Sequence, residues 1–422
     1  MKSGPPEVEV LVGMGVYGTE SPPCRARMRA SDDDFRVTEV VNLEDLKGEE
    51  SPGAFPLYRL EKRGSDTFHV ARRISKELES GVSFGGLKDK RAAAIQYLTP
   101  TSTRSRRPRL IEDPSFKAEL IGYITRPFSR SRVAGNSFEI TLRETCGEVE
   151  ARIEEAYSLC RQRRLPNFFG LQRFGTRDPV THLVGHALLR GDFEEGIRYL
   201  LSEPRMGEEE SVREARGMAA NGMYAEALRG FTESQDLEKM AARRLVEKPG
   251  DFLGAFRALP LGIRRLFVHA YQSYLFNRSL TKALLDSLDI SVAVPGDNWS
   301  QLAADGLTAG GVHGAREVPL EGALPLIQLV GYSYRDYGSR FDRAVTEVLG
   351  EEGITPREFY VKDAQEISAE GGFRRAPMTA RDLSYELSGG NATLSFTLAR
   401  GEYATTLLRE ILKPSDPFAA GF

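Results

Sequence analysis

FGGLKDKRAAAIQY, residues 84–97, is the stretch on which the reading of this chain turns. Gly85 and Gly86 carry the backbone through a tight path, and then a lone carboxylate, Asp89, stands among Lys88, Lys90 and Arg91. Neighbouring cations favour the ionised form of an acid and attract phosphate groups. An ionised carboxylate so placed can act as a nucleophile. By itself a KDKR run is usually a solvated turn, so its meaning depends on what surrounds it.

Outward from this stretch, helix and strand patterns are mixed. Phe68, Ala71, Ile74 and Leu78 recur at helical spacing, with Ser65 or Asp66 to cap the helix and Gly81 to end it. Residues 35–41 (FRVTEVV) alternate, so Phe35, Val37 and Glu39 share one face of a strand. Residues 7–12 (EVEVLV) alternate too and read as a further strand. Residues 137–143 (SFEITLR) predict a strand, and 148–163 a helix with Ile153, Ala156, Tyr157 and Cys160 inward. The mixture predicts an α+β first domain. After about residue 185 charged helical segments follow at 192–202, 223–231 and 235–247, then an apolar helix at 263–284. Glycine and proline are dense from 290 to 330, where 325–330 (PLIQLV) is a strand candidate. A helix near 340–350, strands at 382–389 and 391–399, and a helix at 403–412 complete the pattern. Strand-rich ends around a helix-rich middle predict a domain of residues 1–185 and 341–422 interrupted by an inserted one, 186–340.

At 422 residues, 41% of them hydrophobic, the chain can build two or three cores. Lys and Arg (57) nearly balance Asp and Glu (60), which argues against tail-driven nucleic-acid binding but leaves room for a local basic face. Three arginine clusters supply candidates for one: Arg104, Arg106, Arg107 and Arg109; Arg126, Arg130 and Arg132; Arg161, Arg163 and Arg164. Cys24, Cys146 and Cys160 are too few and scattered for a disulfide framework or zinc knuckle, and a reducing cytosol is the expected setting. The N-terminus MKSGPPEVEV lacks the apolar stretch of a signal peptide, and no apolar run approaches a membrane span. A soluble, cytoplasmic protein without membrane contact is expected.

Two motifs compete and fail. GMGVYG (13–18) fits a dinucleotide fingerprint, but that fingerprint needs a helix to start on its glycines, and TESPPC follows. His182 and His186 stand at zinc-binding spacing, yet Leu183 occupies the place of a zincin glutamate and a third ligand is lacking, so two helix-surface histidines are expected and no metal. A second informative segment is LPNFFGLQRFG (165–175). Three phenylalanines among glycines, with Asn167, Gln172 and Arg173, suit a loop that stacks an unpaired base and reads its edge. A buried turn joining two domains would look the same.

Taken together, these segments resemble the TruD family of tRNA pseudouridine synthases. GGLKDKRAAAIQ (85–96) is similar to its catalytic stretch and PNFFGLQRFG (166–175) to a second family motif. DFRVTEV (34–40), HAYQSYLFN (269–277), EGGFRRAPM (370–378) and GEYATTLLREIL (401–412) match in the same order across nearly the whole chain. The resemblance implies a pseudouridine-synthase core, a mixed, largely antiparallel sheet with helices, interrupted by a helix-rich α/β TRUD domain. It implies Asp89 as nucleophile, Phe169 as the aromatic stacking on the target base, Arg29 as the basic partner of the aspartate, and Asn167 as the residue ordering the loop. It implies uridine 13 of tRNA as target, with no cofactor and no obligate protein partner. Lys88, Lys90, Arg91, Gln172, Arg173, Arg130, Arg132, Arg374 and Arg375 are the candidate RNA contacts. Two departures stand out: arginine at position 29 where lysine is frequent, and Ala94 where threonine is common. The competing readings are a catalytically silent tRNA-folding chaperone and a nucleotide-dependent oxidoreductase resting on residues 13–18.

Overall fold

The computed structural model describes residues 4–51, 53–175, 178–205 and 207–422. Twelve strands, numbered in chain order, form two sheets among the described residues. The larger contains β1 (Phe35–Val41), β2 (Phe55–Arg63), β3 (Val82–Phe84), β4 (Ala93–Pro100), β5 (Leu110–Asp113), β6 (Phe116–Ile124), β7 (Val133–Leu142), β11 (Ala380–Ser388) and β12 (Asn391–Ala399). Its order is β11-β12-β7-β1-β4-β2-β6-β5, with β3 also on β4. Only the β1–β4 pair is parallel, with Val37 opposite Ala94; the others are antiparallel. The mixed, largely antiparallel sheet with helices expected from the sequence is therefore present. The second sheet holds β8 (Asn298–Ser300), β9 (Leu324–Leu329) and β10 (Gly372–Arg375) in the order β10-β9-β8.

Strand alternation decides which side chains are buried. Phe35 and Val37 of β1 join Phe138 and Ile140 of β7 and Leu394 and Phe396 of β12 in one core. Helices Val149–Arg161 and Ala404–Leu412 close it with Ile153, Tyr157, Leu407 and Ile411. Helix Thr67–Leu78, capped by the Asp66 side chain on the His69 amide, packs Val70, Ile74 and Leu78 against Tyr58 and Leu60 of β2. It ends at Glu79, which takes the left-handed conformation, ahead of Gly81. Phe68 differs from expectation: it is 62% exposed and touches Phe84 edge-on.

By contact the chain forms two compact units. One comprises Ser21–Leu165, Leu302–Gly310 and Met378–Phe422; the other comprises Met1–Glu20, Pro166–Gln301 and Gly311–Pro377. Their edges differ from the divisions at 185/186 and 340/341 drawn from composition. Helix Thr181–Leu189 lies along helix Leu261–Leu285, so closely that a Cβ at Gly185 would sit 2.1 Å from the Phe267 carbonyl oxygen. Pairing of β10 with β9 likewise draws residues 372–375 into the unit of 324–329.

Several expectations are corrected. Residues 7–10 form a helical turn instead of part of the strand expected over 7–12, because Pro5-Pro6 and the first-turn acids Glu7 and Glu9 favour a helix N-terminus over a short alternation. The glycines after it serve close packing: a Cβ on Gly13 would meet the Arg278 main-chain nitrogen at 2.8 Å, and the Gly15 amide donates to Thr281 Oγ1. His182 and His186 are not surface residues; their rings lie on Tyr274 and Tyr271 of the long helix. Cys24 and Cys146 form a disulfide with a Cα separation of 5.6 Å. Arg27 pairs antiparallel with Arg143, so the register brings position 24 opposite 146. Cys160 alone is free, and buried. No helix among the described residues is long and apolar enough to cross a membrane.

Candidate active site

One candidate cluster is built on the centre of the large sheet. Residues 85–92 link β3 to β4, and their main chain is fastened at several points. The Lys88 amide donates to Thr67 Oγ1 at 3.1 Å, and Gln96 Nε2 donates to the Gly86 carbonyl at 2.7 Å. Lys62 Nζ donates to the carbonyl of Asp89 itself at 2.8 Å. Gly85 is demanded by space, since a Cβ there would fall 2.5 Å from Val133 Cγ2. So held, the Asp89 side chain stays 46% exposed while Oδ2 accepts from Arg29 Nη2 at 2.5 Å.

Arg29 is nearly buried and strongly constrained. Its Nη1 donates to the Gly421 carbonyl at 3.2 Å, its guanidinium lies 4.4 Å from the Phe35 ring centroid, and its own carbonyl accepts from Arg91 Nη2 at 2.7 Å. Its φ of +54° is rare for a residue with a side chain and costs backbone energy that these contacts must offset. Burial lowers the guanidinium pKa while Asp89 raises it again. Arginine remains charged throughout, so a permanent cation faces a solvent-reachable carboxylate.

A second candidate cluster lies in the other compact unit. The Phe169 main chain is clamped by Asn277, which accepts from the Phe169 amide at 2.8 Å and donates to its carbonyl at 3.0 Å. The ring meets Phe276 edge-on at 5.4 Å, and the Arg374 guanidinium carbon sits 3.9 Å from its centroid. Arg374 also donates to Asn167 Oδ1 at 2.6 Å and to the Asn167 carbonyl at 3.0 Å. Asn167 in turn donates from Nδ2 to the Arg375 carbonyl and from its amide to the Ala376 carbonyl. The loop of residues 166–175 is thus pinned to the end of β10, and one face of Phe169 is covered by a cation.

Some candidate RNA contacts are spoken for within the protein. Lys88 turns inward to Glu39, at 2.9 Å, with side-chain exposures of 11% and 0%. Arg132 makes a two-pronged pair with Asp45 at 2.5 and 2.9 Å. Arg375 is buried and Arg374 backs Phe169. For Lys88 and Arg132 the cause is the same: a cation drawn out of water needs a carboxylate partner. Lys90, Arg91 and Arg130 are exposed, and Gln172 and Arg173 half-buried, with Arg173 Nε donating to Ser273 Oγ.

Lys62, Glu39 and Asn277 were not singled out as site residues from sequence. Lys62 and Glu39 carried a signal: each continues the inward-facing alternation of its strand, Tyr58-Leu60-Lys62 and Phe35-Val37-Glu39. A charge at an inward strand position must have a dedicated partner. Asn277 carried only its place in the 269–277 motif.

The family model described as tRNA pseudouridine synthase D (TruD) matches residues 11–411. A protein of Pyrobaculum neutrophilum named probable tRNA pseudouridine synthase D is 34% identical over 431 residues, covering 99% of both chains. A Methanococcoides burtonii protein of the same name is 31% identical, covering 97% of this chain and 98% of its own. The crystal structure of the Methanosarcina mazei protein assigned to TruD superposes with a TM-score of 0.77 at 30% identity, covering 98% of this chain and 99% of that one.

Proposed function

The chain belongs to the tRNA pseudouridine synthase D family, and on that premise we propose that it isomerises uridine 13 of tRNA with Asp89 as the nucleophile. The observation that carries the proposal is the ion pair of a half-exposed Asp89 with a buried, structurally fixed Arg29. In the reaction the N1–C1′ bond breaks, the uracil turns, and C5 bonds to C1′. The C5 proton leaves and N1 gains one, so no redox step is involved. The uridine must first leave its stack. Asp89 either attacks C1′ or assists elimination to a glycal, and Asp89 or water takes the C5 proton. Arg29 aims the carboxylate. Phe169 stacks on the uracil. Asn167 orders the loop that carries it.

Lys90, Arg91, Arg130, Gln172 and Arg173 are the groups assigned to tRNA contact, residues 186–340 the inserted domain, and the cytoplasm the site of action. The test is carbodiimide mapping of pseudouridine in tRNA transcripts treated with the wild type or Asp89→Asn. A new stop at position 13 with the wild type only is the expected result, the variant losing on the order of a thousandfold in rate. Binding without modification would favour the chaperone reading. Activity surviving in Asp89→Asn would remove Asp89 from its role.

A further inference from the structure

Lys62 is a charged residue where the strand pattern calls for an apolar one. It is 1% exposed, and its neighbours in register are Ala94 of β4 and Phe116 of β6. Its ammonium donates to two main-chain carbonyls, Ser65 at 2.7 Å and Asp89 at 2.8 Å. Asp66, Asp32, Lys88 and Asp89 supply the field around it. Burying an ammonium costs free energy that carbonyl dipoles offset only in part. Here burial, the dominant cause, pulls the lysine down to about 8. An apolar side chain would fill the strand position at lower cost, so the geometry has to be explained by what the ammonium grips.

What it grips is the peptide of the reacting residue. We propose that Lys62 is a positioning residue, fixing the 89–90 peptide from below the loop so that the Asp89 carboxylate projects to Arg29 and to the sugar. The assignment rests on the reading of Asp89 as nucleophile. Arg29 controls the end of the side chain and Lys62 its origin. With both fixed, the carboxylate keeps the few tenths of an ångström on which nucleophilic attack depends. Thr67 and Gln96 hold the loop at residues 88 and 86, so losing Lys62 frees Asp89 without freeing the whole segment.

Lys62→Met and Lys62→Gln test it, with single-turnover pseudouridine formation, tRNA affinity and amide hydrogen exchange as readouts. For Lys62→Met we expect a rate lowered roughly 10- to 100-fold, affinity within about threefold of wild type, and faster exchange confined to residues 85–92. Gln keeps a donor for the carbonyls and should fall between. A Met variant with the wild-type rate and unchanged exchange overturns the proposal. So does exchange raised throughout the protein with affinity and rate falling together, which marks general loss of fold. If the wild type itself modifies no tRNA, the reading of function fails, while confined or unchanged exchange at 85–92 still decides whether Lys62 positions Asp89.

Discussion

Lys88 stands next to Asp89 in sequence, but its ammonium turns inward to Glu39. Its partner Glu39 has no exposed side-chain surface and otherwise accepts from the Tyr97 amide, so removing the ammonium would leave a buried carboxylate without its cation. Lys88→Met should cost about 3–5 kcal/mol of stability, read from urea unfolding, with the Glu39→Leu/Lys88→Met double variant recovering much of it. A residue whose main job was to hold phosphate would instead weaken tRNA binding and leave the urea midpoint alone. His182 makes a separate case. Burial against Phe174 and Tyr274 lowers its imidazole to about 4 from an ordinary 6.5, and Nδ1 has no hydrogen-bond partner among the described residues. Between those values the unfolded chain holds a proton that the folded one does not, so stability rises with pH. The contribution should be fully present above about pH 6.5 and shrink as pH falls towards 4, by up to roughly 3 kcal/mol. Urea midpoints at several pH values, with His182→Phe flattening that part of the slope, check it.

At the scale of elements, some long patterns are legible while others, among them β2, β4 and β6, are not read from sequence. Residues 35–41 and 391–399 were read as strands and are β1 and β12, because alternation over seven or more residues commits one face to the core. The helix at 148–163 was likewise read with its four inward residues correct. The six residues of EVEVLV (7–12) carry too little alternation to outweigh the helix-start signals around them. Alternation over 35–41 puts Glu39 on the face of Phe35 and Val37, whereas 55–63 is not read as a strand from sequence, and only the folded chain shows which ammonium and carbonyls answer Glu39 and Lys62. Asp89, Arg29, Phe169 and Asn167 are proposed through motif resemblance, whereas the cover that Arg374 lays on Phe169 depends on β10 docking to β9, far beyond the loop in sequence. Glycine at 135 in β7 is a constraint of the same long-range kind. A Cβ there would lie 2.2 Å from the Leu398 carbonyl oxygen of β12, a backbone atom that cannot move without unpairing the strands. Gly135→Ala should therefore destabilise by roughly 1–3 kcal/mol or more. Faster amide exchange along β12 than along β2 would distinguish this from diffuse weakening.

For the molecule as a whole, the disulfide changes the argument drawn from composition. Three scattered cysteines pointed to free thiols, because sequence gives their number and spacing but not which strands run side by side. The pairing of segment 24–27 with 143–146 places two of them in register across a separation of 122 residues. A link of that span restricts the unfolded chain far more than the folded one. Chain-entropy reasoning assigns roughly 4–5 kcal/mol to it, and measured values are usually nearer 2–4 kcal/mol. Such bonds are rare in reducing compartments except in hyperthermophiles, so the cysteine content no longer speaks for a reducing cytosol. The same segment leads into Met28 and Arg29, whose amide and side chain are held by the Ala420 and Gly421 carbonyls. Arg29 therefore has anchors of its own that do not pass through sulfur. The Cys24→Ser/Cys146→Ser variant should lose about 2–4 kcal/mol in urea under oxidising conditions while keeping its rate on tRNA within about twofold at 25 °C. Wild type in excess reductant should move to the same midpoint. If rate falls in parallel with the lost bond at temperatures where the variant is fully folded, the disulfide is part of what aims Arg29, and its role extends from stability to catalysis.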